Sequence, residues 1–315
     1  MTAPIVAVVG PTATGKSDLA VALALDLDAE VVNADAMQLY RGMDIGTAKL
    51  TEADRRGVPH HQLDVLEVSE EASVAAYQRH SRADVAAVQA RGHRVVVVGG
   101  SGLYVRALLD RLDIPPTDPG VRAELEARGA AEGPGALHDE LAAVDPDAAE
   151  RIERGNTRRL VRALEVVRLT GRYSATLPDH ASLAPTVMIG LDCGREVLDG
   201  RIVRRVDRMW QQGLVGEVRG LLPLGMGRTA SRARGYAEVL GMLDGRLSVE
   251  EARESMITGT RRLARRQMSW FGRDPRVHWL DAQADDLLGQ ARDLIGAADA
   301  GTLGPPTAGR RTLGS

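Results

Sequence analysis

IVAVVGPTATGKS, residues 5–17, decides the fold. Its first five residues are an apolar run of strand type, and Gly10-Pro11 ends that run with a turn signal. From Ser17 to about Leu27 the composition is helical, so the stretch reads strand, loop, helix. Residues 10–17 match G-x-x-x-x-G-K-[ST] in the context that motif requires, directly after a strand and opening a helix. Glycines at 10 and 15 let successive backbone N–H groups turn toward one anion. Lys16 adds a cation, Ser17 offers a hydroxyl ligand to Mg²⁺, and the helix start contributes its positive dipole end. The expected ligand is a di- or triphosphate, cradled by Gly10, Pro11, Thr12, Ala13, Thr14, Gly15, Lys16 and Ser17.

A second β-like run, EVVNA at 30–34, makes the opening one βαβ unit with parallel strands and a right-handed crossover. A third strand is expected at Val95–Val98, after an Ala-rich helix at about 72–91 and before Gly99-Gly100. All three runs are almost continuously apolar, as in parallel sheets covered by helices on both faces. The fold class is therefore α/β, a P-loop NTPase-like parallel sheet. Proline, aspartate and glycine then concentrate in LDIPPTDPG, and helical sequence runs to about 176, with breaks at GAAEGPGA and Asp145-Pro146. A breaker-rich patch at 177–186 precedes a strand-like return, VMIGLD, at 187–192. The expected organisation is a core at 1–112, a helical insertion at 113–186, the core again at 187–299, and a disordered tail at 300–315. Further helices are expected at about 195–212, 214–222, 231–244 and 248–271, the last opened by a Ser248/Glu251 capping box.

The 315 residues contain one cysteine, Cys193, which excludes an intramolecular disulfide framework and a Cys-cluster zinc site. It reads as a small buried hydrophobe. No apolar run approaches the roughly 18 residues of a membrane span, and no basic n-region opens the chain. A soluble, cytoplasmic monomer is expected. The net charge of −3 disfavours a nucleic-acid partner at first sight, yet it hides a split. Residues 1–150 hold 13 basic against 24 acidic side chains, whereas 151–315 hold 27 against 19. Only Lys16 and Lys49 are lysines, so nearly all the positive charge is guanidinium.

P-loop kinases and hydrolases commonly place a Mg²⁺-binding Asp at the end of a nearby strand. VVVV at 95–98 ends instead in GGSG, which weakens an ATPase reading. The nearest carboxylate is Asp35 in NADAMQLY, just past the second strand. Loops at the carboxyl ends of parallel strands converge on one crevice, so Asp35 should face the same anion pocket as Lys16. There it would bind metal or take a proton from a second reactant; capping a turn is the alternative.

GPTATGKS, VNADAMQLYRGMDIGTAK, VPHHQLD, VVVVGGSGLY, NTRRLVRALEV, TASRARGYAEV and TRRLARRQMSWF, in this order from about residue 5 to 280, closely resemble the tRNA dimethylallyltransferase family of the bacterial type without a zinc-finger extension. The resemblance implies transfer of a dimethylallyl group from dimethylallyl diphosphate to N6 of adenosine 37 of tRNA, with Mg²⁺ as cofactor. It also implies a helical insertion that grips the anticodon stem-loop. In this pattern the P-loop holds a leaving diphosphate rather than a phosphoryl donor, Thr12 and Lys16 contact it, and Ser17 meets it or its metal. Asp35 takes the N6 proton and Ser101, in place of a common Thr, lies near the base. The resemblance assigns tRNA contacts to Asp35, Ala36, Met37, Gln38, Ser101, Arg122, Arg158, Arg159, Arg162, Arg232 and Arg234.

Residues 151–172 carry seven arginines and two glutamates, and 253–273 carry six arginines and one glutamate. Guanidinium forks suit bidentate phosphate contacts and stacking on unpaired bases, although charge runs on helices are also ordinary solvated faces. Arg234 stands where the family usually has an aliphatic residue, which implies altered packing or an extra phosphate contact. Leu263 replaces a common aromatic. Tyr40, Tyr104, Tyr236 and Trp270 are the rings that could stack on a flipped base, with core filling as the alternative for each. His60-His61 has no third ligand in spacing, and a hydrogen-bonding role in the core pocket is expected.

Overall fold

The computed structural model describes residues 3–173 and 179–306. The apolar run at the start is β1 (Ile5–Val9), every residue of it buried. It is followed by α1 (Lys16–Asp26), β2 (Ala29–Asn33), α2 (Glu52–Arg55) and the two-residue β3 (His60–His61). Next come α3 (Val74–Ala90), β4 (Arg94–Val98) and α4 (Gly102–Leu109). Four helices follow: α5 (Pro119–Glu132), α6 (Pro134–Val144), α7 (Pro146–Arg151) and α8 (Thr157–Thr170). Strand β5 (Thr186–Asp192) leads into α9 (Arg195–Gln211), α10 (Leu214–Leu221), α11 (Arg228–Ser231), α12 (Tyr236–Leu243) and α13 (Val249–Phe271). The last elements are β6 (Val277–Asp281) and α14 (Leu287–Asp299).

The strands form one parallel sheet in the order β3-β2-β4-β1-β5-β6. Central strands with no polar face must be covered twice. Val6, Val8, Val96, Val98 and Ile189 meet Leu19, Leu23, Ala291 and Ile295 of α1 and α14. Ala7 and Val9, which alternate to the other side, are equally buried. A second core joins Tyr40 and Met43 to α9, α10, α12 and α13.

The chain divides into two compact units, 1–110 with 182–315, and 111–181. The second is helical and has its own core of Leu125, Leu137, Leu141, Leu160, Val161 and Leu164. Pro119, Pro134 and Pro146 open three of its helices, at positions where a missing N–H removes no helical bond.

Three sequence expectations need correction. The helix expected from 231 to 244 starts only at Tyr236: α11 ends at Ser231, and Gly235 at φ 92° caps α12. The tail does not lose order at residue 300: Thr302 and Leu303 donate to the Ala297 carbonyl, and Leu303 packs on the sheet core. Its end, 307–315, lies outside the described residues, as does 177–178 of the breaker patch. His60 and His61 stand not in a core pocket but on the edge strand β3, paired with Val31 and Val32 of β2. His60 Nδ1 lies 2.8 Å from the Val58 carbonyl and His61 Nε2 2.6 Å from Glu30, so the ring nitrogens do make hydrogen bonds. Among the described residues no group of three or more His, Cys, Asp or Glu could hold a metal, and no helix is long and apolar enough to cross a membrane.

Candidate active site

The crevice opens where β2, β4 and β1 end side by side. After β1, Gly10 turns at φ 128°, and a Cβ there would stand 2.5 Å from the Leu191 carbonyl oxygen of β5, so only glycine fits. Ala13 takes a left-handed φ of 65° and Gly15 caps α1, which starts at Lys16. Thr14 Oγ1 donates to the Pro11 carbonyl at 2.9 Å and Lys16 Nζ donates to the same oxygen at 2.5 Å, folding the loop around its own lysine. The Thr12 N–H donates out of the loop, to Gln267 Oε1 at 2.8 Å.

After β2, the buried Asn33 organises the Asp35 turn. Its Oδ1 accepts from the Asp35 N–H, and its Nδ2 donates to the Asp35 and Gln62 carbonyls. Asp35 Oδ1 accepts from the Met37 N–H at 2.9 Å, so one carboxylate oxygen does cap a turn. The Ala36 N–H donates to Ser101 Oγ at 3.2 Å, which ties the Asp35 loop to the GGSG loop after β4. Gln38 Nε2 donates to the Thr47 carbonyl.

The fold brings one further charge to this place. Arg205, from α9, donates to the Thr47 carbonyl at 3.2 Å and interacts electrostatically with Lys16 and Asp35. Burial, then the Arg205 charge, lower the Lys16 ammonium to about 7, against the opposing pull of Asp35. Burial also lowers Arg205, again against Asp35. Arg205 balances the Asp35 carboxylate, and an anion that restores the Lys16 proton would leave this place with excess positive charge, the condition of an anion site. Nothing in the sequence distinguishes Arg205 from its neighbours in RRVDR; packing of α9 against α13 selects it.

The loop that carries Thr47 is itself held. Glu217 of α10 accepts from the Asp44, Ile45 and Gly46 amides and from the Tyr236 hydroxyl. Lys49, buried, donates to the Tyr40 carbonyl, Asp44 and Asp64. Tyr40 and Tyr236 are completely buried and cannot stack on a ligand, leaving Tyr104 at 8% and Trp270 at 37% exposure. Cys193 is a buried free thiol, as expected.

The arginines assigned to RNA divide into two kinds. In the helical unit, Arg122 and Arg162 both pair with buried Glu165, and Arg162 also donates to the Pro115 and Pro116 carbonyls. Arg158 and Arg159 are exposed, with no ion pair among the described residues. In the first unit Arg232 is exposed, while Arg234 pairs with Glu238 and lies over Gly259 of α13. Arg234 packs closely on α13: a Cβ at Gly259 would stand 2.5 Å from its guanidinium carbon.

A profile of the family described as IPP transferase matches residues 38–274. The chain belongs to the IPP transferase family. It is 60% identical over 299 residues to the tRNA dimethylallyltransferase of Thermobifida fusca, covering 92% of this chain and 94% of that one. The tRNA dimethylallyltransferase of Streptomyces avermitilis is 59% identical over 286 residues, covering 90% and 92%. Among solved structures, the tRNA isopentenylpyrophosphate transferase of Bacillus halodurans matches with a TM-score of 0.70 at 41% identity, over 95% of this chain and 96% of that one. A eukaryotic dimethylallyltransferase described as acting on tRNA matches with a TM-score of 0.78 at 26% identity, over 98% and 82%.

Proposed function

We propose that this protein transfers a dimethylallyl group from dimethylallyl diphosphate to the N6 amine of adenosine 37 in tRNA, releasing diphosphate. The observation that carries the reading is that the 10–17 loop folded around Lys16, the Asp35 turn and Ser101 follow the neighbouring strands β1, β2 and β4, with the Asp35 loop tied to Ser101 and Arg205 acting on both Lys16 and Asp35. The cations bind the diphosphate and stabilise the charge that grows as the allylic C–O bond breaks and the electron pair leaves with it. The N6 nitrogen forms the new bond to the same carbon, and its proton passes to the Asp35 carboxylate. Asp35 Oδ1 is engaged by the Met37 amide, which fixes the carboxylate and leaves the second oxygen for the proton. Ser101, bonded to the loop amide next to Asp35, keeps the acceptor side aligned.

Ser17, in the first turn of α1 and part-exposed, fits Mg²⁺ through its hydroxyl, since Mg²⁺ on phosphates needs few protein ligands. When bound, the ion would add positive charge at the leaving group. In the helical unit, exposed Arg158 and Arg159 suit phosphates of the anticodon stem-loop and Arg122 and Arg162 shape the unit through Glu165; in the other unit, exposed Arg232 suits RNA phosphates as well.

The test is incubation of the purified protein with Mg²⁺, labelled dimethylallyl diphosphate and either an anticodon stem-loop or AMP. Label in the stem-loop at position 37, located by mass spectrometry, is expected; preference for AMP would reverse the choice of acceptor. Asp35→Asn should lower kcat by about 10³-fold, on the scale of a lost general base, with diphosphate affinity retained. Full turnover in Asp35→Asn would remove the proposed base.

A further inference from the structure

Gln267, near the end of α13, is 8% exposed, and both ends of its amide are used. Oε1 accepts from the Thr12 N–H at 2.8 Å, in the phosphate-binding loop. Nε2 donates to the Gly100 carbonyl at 3.0 Å, in the loop that presents Ser101. An amide can accept at one end and donate at the other, whereas a carboxylate only accepts, so this bridge needs glutamine chemistry. The seat is built around it: a Cβ on Gly100 would stand 2.3 Å from Gln267 Nε2. One turn on, Trp270 covers Gly102, where a Cβ would be 2.1 Å from the ring. The same face of α13 therefore meets both glycines that flank Ser101.

We propose that Gln267 is a positioning residue for prenyl transfer: its amide holds the diphosphate cradle and the Ser101 loop at one separation, keeping leaving group and acceptor amine in register. The inference rests on residues 10–17 being the diphosphate cradle. Thr12 has its backbone N–H turned to Gln267, so its contribution to the anion falls to its hydroxyl. Rate depends steeply on such alignment, because small displacements of reacting groups cost large factors in turnover. Exposed Arg262, Arg265 and Arg266 lie on the same helix within two turns of Gln267, so RNA phosphates bound there would bear on the cradle through a rigid element.

The test uses the full-length protein and Gln267→Met, which keeps length and burial and removes both hydrogen bonds. Turnover should fall by about 10- to 100-fold, while stem-loop affinity stays close to wild type. A filler of the core would be kinetically silent on this change, so wild-type kcat in Gln267→Met overturns the proposal. Hydrogen exchange at the Thr12 amide reads the bond directly in the unmutated protein: protection is expected, roughly 10-fold or more over Gln267→Met. Unprotected exchange in the wild type overturns the bridge even if the variant does not fold. Titration with inorganic pyrophosphate separates the two levels of the reading. A wild-type protein that fails to bind it overturns the cradle and the proposal together, whereas binding with equal kcat in both proteins overturns Gln267 alone.

Discussion

Lys16 is held in a conflict that only an anion resolves. Free, the ammonium is lowered to about 7 by burial and by Arg205; with a diphosphate beside it the charged form is favoured. Between about 7 and the ordinary lysine value of 10.5 the folded chain lacks a proton that the unfolded chain binds, so burying this residue costs stability at neutral pH and the cost is relieved as pH rises across that interval. Ligand binding reverses the preference. At pH 8 binding of pyrophosphate should take up about one proton at this site, measured by calorimetry in buffers of different ionisation enthalpy, and affinity should fall as pH rises above 7. No uptake would mean that Lys16 is already charged in the free protein. The positions of the 10–17 loop and Asp35 were legible in the sequence because motif and strand-end position fix them locally, whereas Ser101 was marked only by the family resemblance. Arg205 and Gln267 were not legible, because each acts on residues far away along the chain and only packing brings them there, while Asn33 acts locally on Asp35 but shows its tie to Gln62 only in the fold. Arg205 in particular is one guanidinium among several on α9, without a spacing signal of its own.

At the scale of elements, α8 shows how a charge run can be partly structural. Its amphipathic pattern buries Leu160, Val161 and Leu164, and the same face buries Glu165 completely. Burial works to raise the Glu165 carboxyl, but hydrogen bonds from Arg122, Arg162 and the Asp118 amide outweigh it and lower the value. A lowered carboxylate stabilises the fold above its unfolded value and loses that stabilisation as pH falls into the acidic range. Glu165→Gln should therefore destabilise the helical unit by on the order of 2 kcal/mol at neutral pH, read by urea denaturation, with the difference from wild type shrinking as pH drops below about 4. A constant difference would assign the loss to packing. The strands β1, β2, β4 and β5 were legible as apolar runs because both their faces are covered. Strand β6 was not: VHWLD sits at the sheet edge with only Val277 fully buried, so no continuous run marks it. Helix α4 is eight residues long and starts at the last glycine of GGSG, too short for periodicity to declare it.

For the whole molecule, charge is organised more finely than the contrast between halves implies. The helical unit, 111–181, holds 10 arginines against 13 Asp and Glu, so it is not basic as a body. Its acidic residues are partly spent: Glu165 on Arg122 and Arg162, Glu124 and Glu140 on Arg168, Asp139 on Arg154. That pairing leaves Arg158 and Arg159 as exposed, unneutralised cations at the start of α8. Attraction of RNA must then come from such local groups and not from a long-range field of the unit. Contacts of this kind release counterions, so stem-loop affinity should fall steeply with salt. Replacing Arg158 and Arg159 by Gln removes two such contacts and should flatten the slope of log K against log salt by about 1.5, with kcat at saturating stem-loop unchanged. Parallel salt lines for variant and wild type would place the phosphate contacts elsewhere, and a kcat loss without a change of slope would assign these arginines to the reacting geometry.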